Sequence, residues 1–216
     1  MITQKQLIQI TESAIENLVE TFKETPYLFY TENDLHCYPY AQILSKLPMD
    51  KWVCETADGK KSILLHKEYP TKERYKRETL EEGVKKGSRG HFDLTIWNPS
   101  EVGKRSLRAL SSNRFDEEQR TFIAIELDLI EGNDGLKQAI HHFNWDLLKL
   151  RDKENKVENG YSLVFVRDWI HREEFLEGIR DEVVEEQGIM VLYVESSQDR
   201  KLIKTLSHNP FFDYEH

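Results

Sequence analysis

Residues 122–132, FIAIELDLIEG, decide how the chain is read. Taken as a strand, Ile123, Ile125, Leu127 and Leu129 point one way while Ala124, Glu126 and Asp128 point the other. The first set is an apolar face that needs a core. The second places two carboxylates on one side of a strongly β-forming segment, two residues apart.

An upstream stretch has the same character. His91 to Trp97, HFDLTIW, sets Phe92, Leu94 and Ile96 on one face and His91, Asp93 and Thr95 on the other. If the two strands are neighbours with like faces aligned, Asp93, Glu126 and Asp128 converge. Two unit charges about 4 Å apart repel by roughly 4 kcal/mol at an effective dielectric of about 20. Such a cluster persists where the site is wet, where protons are taken up, or where a cation sits among the oxygens. Oxygen donors suit hard ions such as Mg²⁺ or Mn²⁺, which points to metal-assisted hydrolysis. The competing reading is that each strand turns one face to solvent, where acids are ordinary.

Working outward, residues 4–24 carry Leu7, Ile10, Ala14, Leu18 and Phe22 at helical spacing and stop before Pro26. A second helix is expected from Thr31 to Leu47, capped by Thr31 and kinked or split at Pro39. Ser62–Tyr69 reads as a first strand, followed by a charged excursion. Asn98-Pro99-Ser100 ends the second strand, and a polar segment to Gln119 reads as a long loop or small insertion. Gly132 to Gly135 closes the third strand, and Leu136, Ile140, Phe143, Leu147 and Leu150 mark an amphipathic helix. Tyr161–Val166 is a buried strand, Asp168 is placed to cap a helix through Glu186, and Ile189–Val194 is a further buried strand. The tail SHNPFFDYEH is aromatic enough to dock. The order α-α-β-β-β-α-β-α-β predicts an α/β fold, a mixed central sheet flanked by helices.

At 216 residues, with 38% hydrophobic and 11% aromatic content, the chain is expected to form a single domain over 1–216. Cys37 and Cys54 make neither a disulfide framework nor a zinc spacing and read as reduced thiols. With no export signal and no long apolar run, a cytoplasmic protein without a membrane span is expected. A net charge of -9 argues against indiscriminate binding to nucleic acid or anionic membrane. Between Lys60 and Gly90, however, ten basic residues face five acidic ones, while Ile170 to the end carries five against eleven. That asymmetry reads either as a polyanion-facing side or as a solvated charged loop.

Asp93 in GHFDLTIW, Glu126 in IAIELDL and Glu32 in TENDL, in that setting of elements, resemble the PD-(D/E)XK nuclease superfamily. The resemblance spans residues 30–166 and implies a restriction-endonuclease-like αβββαβ core, with 1–29 as an N-terminal helical extension and 167–216 as a C-terminal helix, strand and tail. It further implies phosphodiester hydrolysis, in DNA foremost. Glu32, Asp93, Glu126 and the backbone carbonyl of Leu127 would hold Mg²⁺ or Mn²⁺. A homodimer is admissible. The family's lysine two residues after the second acid is Asp128 here. An acid at that point is a further ligand or general base on one view. On the other it marks a catalytically silent domain that binds nucleic acid or protein. Lys137 on the following helix is the candidate for a relocated lysine, against the plainer view of an exposed helix cation.

Other candidates are weaker. His141 and His142 are adjacent on a helix and so face apart. His36, one turn after Glu32, either lines the same cleft or is a structural histidine. Trp52, Trp97, Trp145 and Trp169 read as packing before base-stacking. No phosphate-cradling glycine loop or nucleophile elbow is present.

Overall fold

The computed structural model describes residues 2–75, 88–112, 121–132, 134–183, 188–196 and 201–207. The helices are α1 (Gln4–Glu24), α2 (Glu32–Ser45), α3 (Met49–Trp52), α4 (Pro99–Val102), α5 (Leu107–Ser112), α6 (Leu136–Arg151) and α7 (Arg172–Ile179), with a 3-10 turn at Pro26–Leu28. The strands are β1 (Val53–Glu55), β2 (Lys61–Ile63), β3 (Leu65–Tyr75), β4 (Ser88–Trp97), β5 (Thr121–Glu131), β6 (Val157–Arg167), β7 (Ile189–Ser196) and β8 (Lys201–Ser207). β1 and β2 form a separate two-stranded sheet, and the main sheet is six-stranded in the order β3-β4-β5-β6-β7-β8.

The main sheet is mixed. β4 runs antiparallel to both its neighbours, β3 and β5; β5, β6 and β7 are parallel, and β8 returns antiparallel to β7. Parallel neighbours need a crossover, and α6 and α7 supply the two that this order requires. β6 and β7 are buried almost end to end, which their uninterrupted apolar runs foretell.

Two cores flank the sheet. Leu7, Leu18 and Phe22 of α1 and Leu35 and Ile43 of α2 share one with Ile123, Ile125 and Leu127 of β5. Phe143, Leu147 and Leu150 of α6 and Phe175 of α7 share the other with Ala124, Val164, Val166 and Tyr193. α1 is thus a layer of the fold and not an appendage. It starts at a capping box between Thr3 and Gln6.

α2 begins at Thr31 as expected, its side chain accepting from the Asp34 N–H while Asp34 bonds back. Pro39 does not split it, because Leu35, Pro39 and Ile43 are all buried on one side. That packing offsets the roughly 3 kcal/mol that an internal proline costs. The expected strand 62–69 is divided between β2 and β3 of different sheets. The polar segment after Trp97 opens with α4 and α5, and 113–120 lie outside the described residues.

Asp168 does not cap a helix: its φ of 48° is left-handed, whereas an N-cap needs extended backbone. α7 starts at Arg172 and stops at Ile179. β8 was not expected, since KLIKTLS is a short, weakly patterned segment at a sheet edge. The side chains of 72–75, 88, 89 and 111–112 and all of 76–87 lie outside the described residues, and with them most of the basic stretch. So does the tail beyond Ser207. Among the described residues no helix is long and apolar enough to cross a membrane.

Candidate active site

The site forms where β4 and β5 separate. Their ladder ends with Leu94 opposite Ile125, so the next positions, Asp93 and Glu126, stand level across the gap. There the Leu127 N–H donates to Asp93 Oδ2 at 2.7 Å, a side chain taking the place of a ladder bond. On the other side of β4, Lys67 pairs with Leu94 and Tyr69 with Phe92, which sets Glu68 level with Asp93. Glu68 adopts φ 54°, a left-handed conformation that costs a non-glycine residue about 1 kcal/mol or more.

Helices from both faces reach this gap. α2 contributes Glu32 in its first turn and His36 one turn later. His36 Nε2 lies 3.6 Å from Glu32 Oε1 and 3.5 Å from Asp93 Oδ2, and Nδ1 lies 3.9 Å from Glu68 Oε1. The Leu127 carbonyl accepts from His36 Nε2 at 3.3 Å. From the opposite face, α6 contributes His142, Asp146 and Lys149. Lys149 Nζ is 2.8 Å from Glu126 Oε1 and 2.7 Å from Asp146 Oδ1, and it donates to the His91 carbonyl at 2.8 Å. His142 Nδ1 is 2.6 Å from Asp128 Oδ1. These groups border a cleft of about 1030 Å³ that Glu32, Glu68, Asp128, His142, Asp146 and Lys149 help to line.

Glu126 and Asp128 do not face solvent: Glu126 is 1% exposed and Asp128 5%. α6 covers them, so the ordinary explanation, acids on a wet face, does not apply. Burial pushes Glu126 well above the carboxylate range; Lys149 pulls it back, and the charges of Asp146 and Asp93 push it further. Burial likewise raises Asp93 to about 6, with His36 opposing. It raises Asp128 to about 7, where the charge of Asp146 adds and the His142 bond opposes. The Asp128 bond raises His142 to about 10 against its own burial. Burial disfavours a charge on Lys149, yet Glu126 and Asp146 more than compensate and its pKa rises. His36 is raised by Glu32 and Asp93 in spite of burial, and Glu32 is lowered chiefly by its bond to His36. Burial is the leading cause for the three sheet acids, and pairing across the site accounts for the lowered Glu32 and the raised His36, His142 and Lys149.

Two sets bring three donors each to within 4.8 Å of one another: His36, Glu68 and Asp93, and Asp128, His142 and Asp146. Glu126 Oε1 meets Lys149 without hydrogen-bond alignment, and Oε2 has no hydrogen-bond partner among the described residues. A buried carboxylate oxygen without a donor is a place that a cation would stabilise.

Glu32, Asp93, Glu126 and Asp128, singled out in the sequence, all lie around this gap, although Glu32 and Glu126 belong to neither three-donor set. The Leu127 carbonyl is present but already accepts from His36. Lys137 lines the cleft, and the lysine among the acids is instead Lys149, about three turns further along α6. His142, Asp146 and Lys149 each directly precede a member of the apolar stripe Phe143, Leu147 and Leu150. A charged stripe running one step beside the core stripe was the signal that could have found them. Comparison of the chain with family models, curated proteins and solved structures finds no match in any of the three.

Proposed function

We propose that this chain is a divalent-metal-dependent nuclease that hydrolyses phosphodiester bonds, DNA being the foremost substrate. The observation that carries the reading is the level pairing of Asp93 with Glu126 across the β4–β5 gap, with Lys149 braced between Glu126 and Asp146. α2, β3, β4, β5, α6 and β6 follow in that order, with α3, β1 and β2 inserted before β3 and α4 and α5 before β5. With the mixed sheet, this order supports a restriction-endonuclease-like αβββαβ core. Carboxylate and carbonyl oxygens are the donors that suit Mg²⁺ or Mn²⁺. Glu32, Asp93, Glu126 and the Leu127 carbonyl would hold one ion, with His36 and Glu68 at hand. Such an ion supplies Lewis-acid charge to a phosphate and a bound water of lowered pKa.

The protein's own groups do the rest. Lys149 keeps an ammonium at the acids, supplying from a helix the charge that the motif's lysine would bring from β5; this reading makes it the positioner of the attacking water. Asp128, at the motif lysine's own position, holds His142 protonated at the mouth of the cleft. A silent binding module rests on Asp128 standing where lysine is usual and on the net charge of -9; Lys149 weakens the first ground and leaves the second.

Nicking of supercoiled plasmid tests the proposal. Wild type should nick only with Mg²⁺ or Mn²⁺, and Asp93→Ala and Glu126→Ala should each abolish nicking while leaving circular dichroism unchanged. Nicking that survives both substitutions, or no cutting of plasmid or of single-stranded DNA by wild type with either ion, would overturn it.

A further inference from the structure

We infer that the substrate strand presents an unpaired base to a ridge on α6 formed by Lys137, His141 and Trp145, so that the cleft takes single-stranded nucleic acid in preference to duplex. The inference rests on the nuclease reading and adds the class of substrate. Trp52, Trp97 and Trp169 are 0, 4 and 1% exposed and belong to the cores, whereas Trp145 is only partly buried and lines the cleft. His141 packs its ring against the indole, centroids 6.0 Å apart. Lys137, His141 and Trp145 are spaced four apart and therefore form one row along the helix. The row beside it, one residue on, includes His142 and Asp146. A strand lying along α6 can thus set its phosphate at the acids while its base meets an indole and an imidazole.

Charge favours the same conclusion. The chain carries a net -9, and Glu32, Glu68, Asp128, Asp134 and Asp146 line the cleft against Lys137 and Lys149. The described lining therefore opposes a second phosphate strand, and a stacked base adds affinity that this charge does not supply. A duplex hides its base faces and doubles the phosphate charge brought to the cleft. An unpaired base offers a face for stacking, whatever its identity.

The test is binding of a fluorescein-labelled single-stranded DNA oligonucleotide, its RNA counterpart and the matching duplex, in Ca²⁺, by wild type, Trp145→Ala, Trp145→Phe and His141→Ala. Trp145→Ala should weaken single-strand binding about 5- to 160-fold, the span of about 1–3 kcal/mol per stacked base. Trp145→Phe should stay close to wild type, His141→Ala should fall between, and duplex binding and calorimetric Mn²⁺ binding should not change. The DNA and RNA arms distinguish the source of the base. Unchanged single-strand binding by Trp145→Ala, or tighter binding of duplex by wild type, overturns the inference. Trp145-dependent single-strand binding with no cutting in Mg²⁺ or Mn²⁺ sustains it and removes the nuclease reading. Cutting that needs Asp93 and Glu126 but ignores Trp145 does the reverse. If Trp145→Ala does not fold, Trp145→Phe and His141→Ala carry the comparison.

Discussion

The two faces of the central sheet are built to different rules, and β5 feeds both. Toward α2 it sends Ile123, Ile125 and Leu127, which share a sealed apolar core with Leu35 and Ile43 of α2 and Leu18 and Phe22 of α1. Toward α6 it sends Glu126 and Asp128, which meet His142, Asp146 and Lys149. The α6 face has an apolar stripe of its own, so the charges are not there for want of hydrophobic residues. Buried ion pairs are a poor source of stability, because desolvation consumes most of what the Coulomb attraction returns. Both faces carry an apolar core, and the α6 face adds to its own a costly charged arrangement, which the proposed chemistry would account for.

The largest effect that separates the faces is expected on the apolar side. Phe22→Ala should lower unfolding free energy by about 3–5 kcal/mol in denaturant titrations, and Mn²⁺ should recover none of that loss beyond what it adds to wild type. On the acidic side, Lys149→Ala leaves Glu126 and Asp146 without their buried cation. It should cost about 3 kcal/mol without metal, with a substantial part regained in saturating Mn²⁺. Equal metal response in the two variants would dissolve the distinction between the faces.

A smaller effect of opposite sign follows at Glu126. Glu126→Gln removes a buried charge repelled by Asp93 and Asp146, and should raise stability by about 1 kcal/mol while abolishing plasmid nicking. A destabilised but active variant would show that this carboxylate serves the fold instead.

The smallest effect is a slope. On the apolar face Glu12 meets the Tyr161 hydroxyl, which donates to its Oε1 at 3.4 Å. Burial lifts the Glu12 carboxyl from its ordinary 4.5 to about 7, the tyrosine bond opposing. The folded state then holds this proton to higher pH than the unfolded chain does. Between pH 4.5 and 7 the folded chain binds more protons at this group, so its contribution to stability is full below that window and declines as pH rises through it. Glu12→Gln should flatten that part of the Tm-against-pH curve. An unchanged curve would mean that Glu12 is solvated.

Much of the layout was legible because it is local. The stripes of α1 and α6 and the alternation in FIAIELDLIEG are read at the periods of helix and strand, and they led to the right layers. The capping signal at Thr31 worked for the same reason. The misses were places where context overrode a local rule: Pro39 carried through a helix by its packing, Asp168 turned left-handed after β6, and β8 added to an edge. At the site, Asp93 and Glu126 were legible from the faces of their own strands. His142, Asp146 and Lys149 were not, because a charge on an amphipathic helix ordinarily reads as solvated.

The sequence by itself determined which residues share a face, since side-chain direction repeats every two residues in a strand and every 3.6 in a helix. It thereby set Glu126 and Asp128 together and Asp93 with its own polar neighbours. Only the tertiary structure decided that Asp93 stands level with Glu126, that α6 lies over both, and that Lys149 supplies the cation. Strand register and helix docking join residues far apart in the chain, and no local period encodes the distance between their charges.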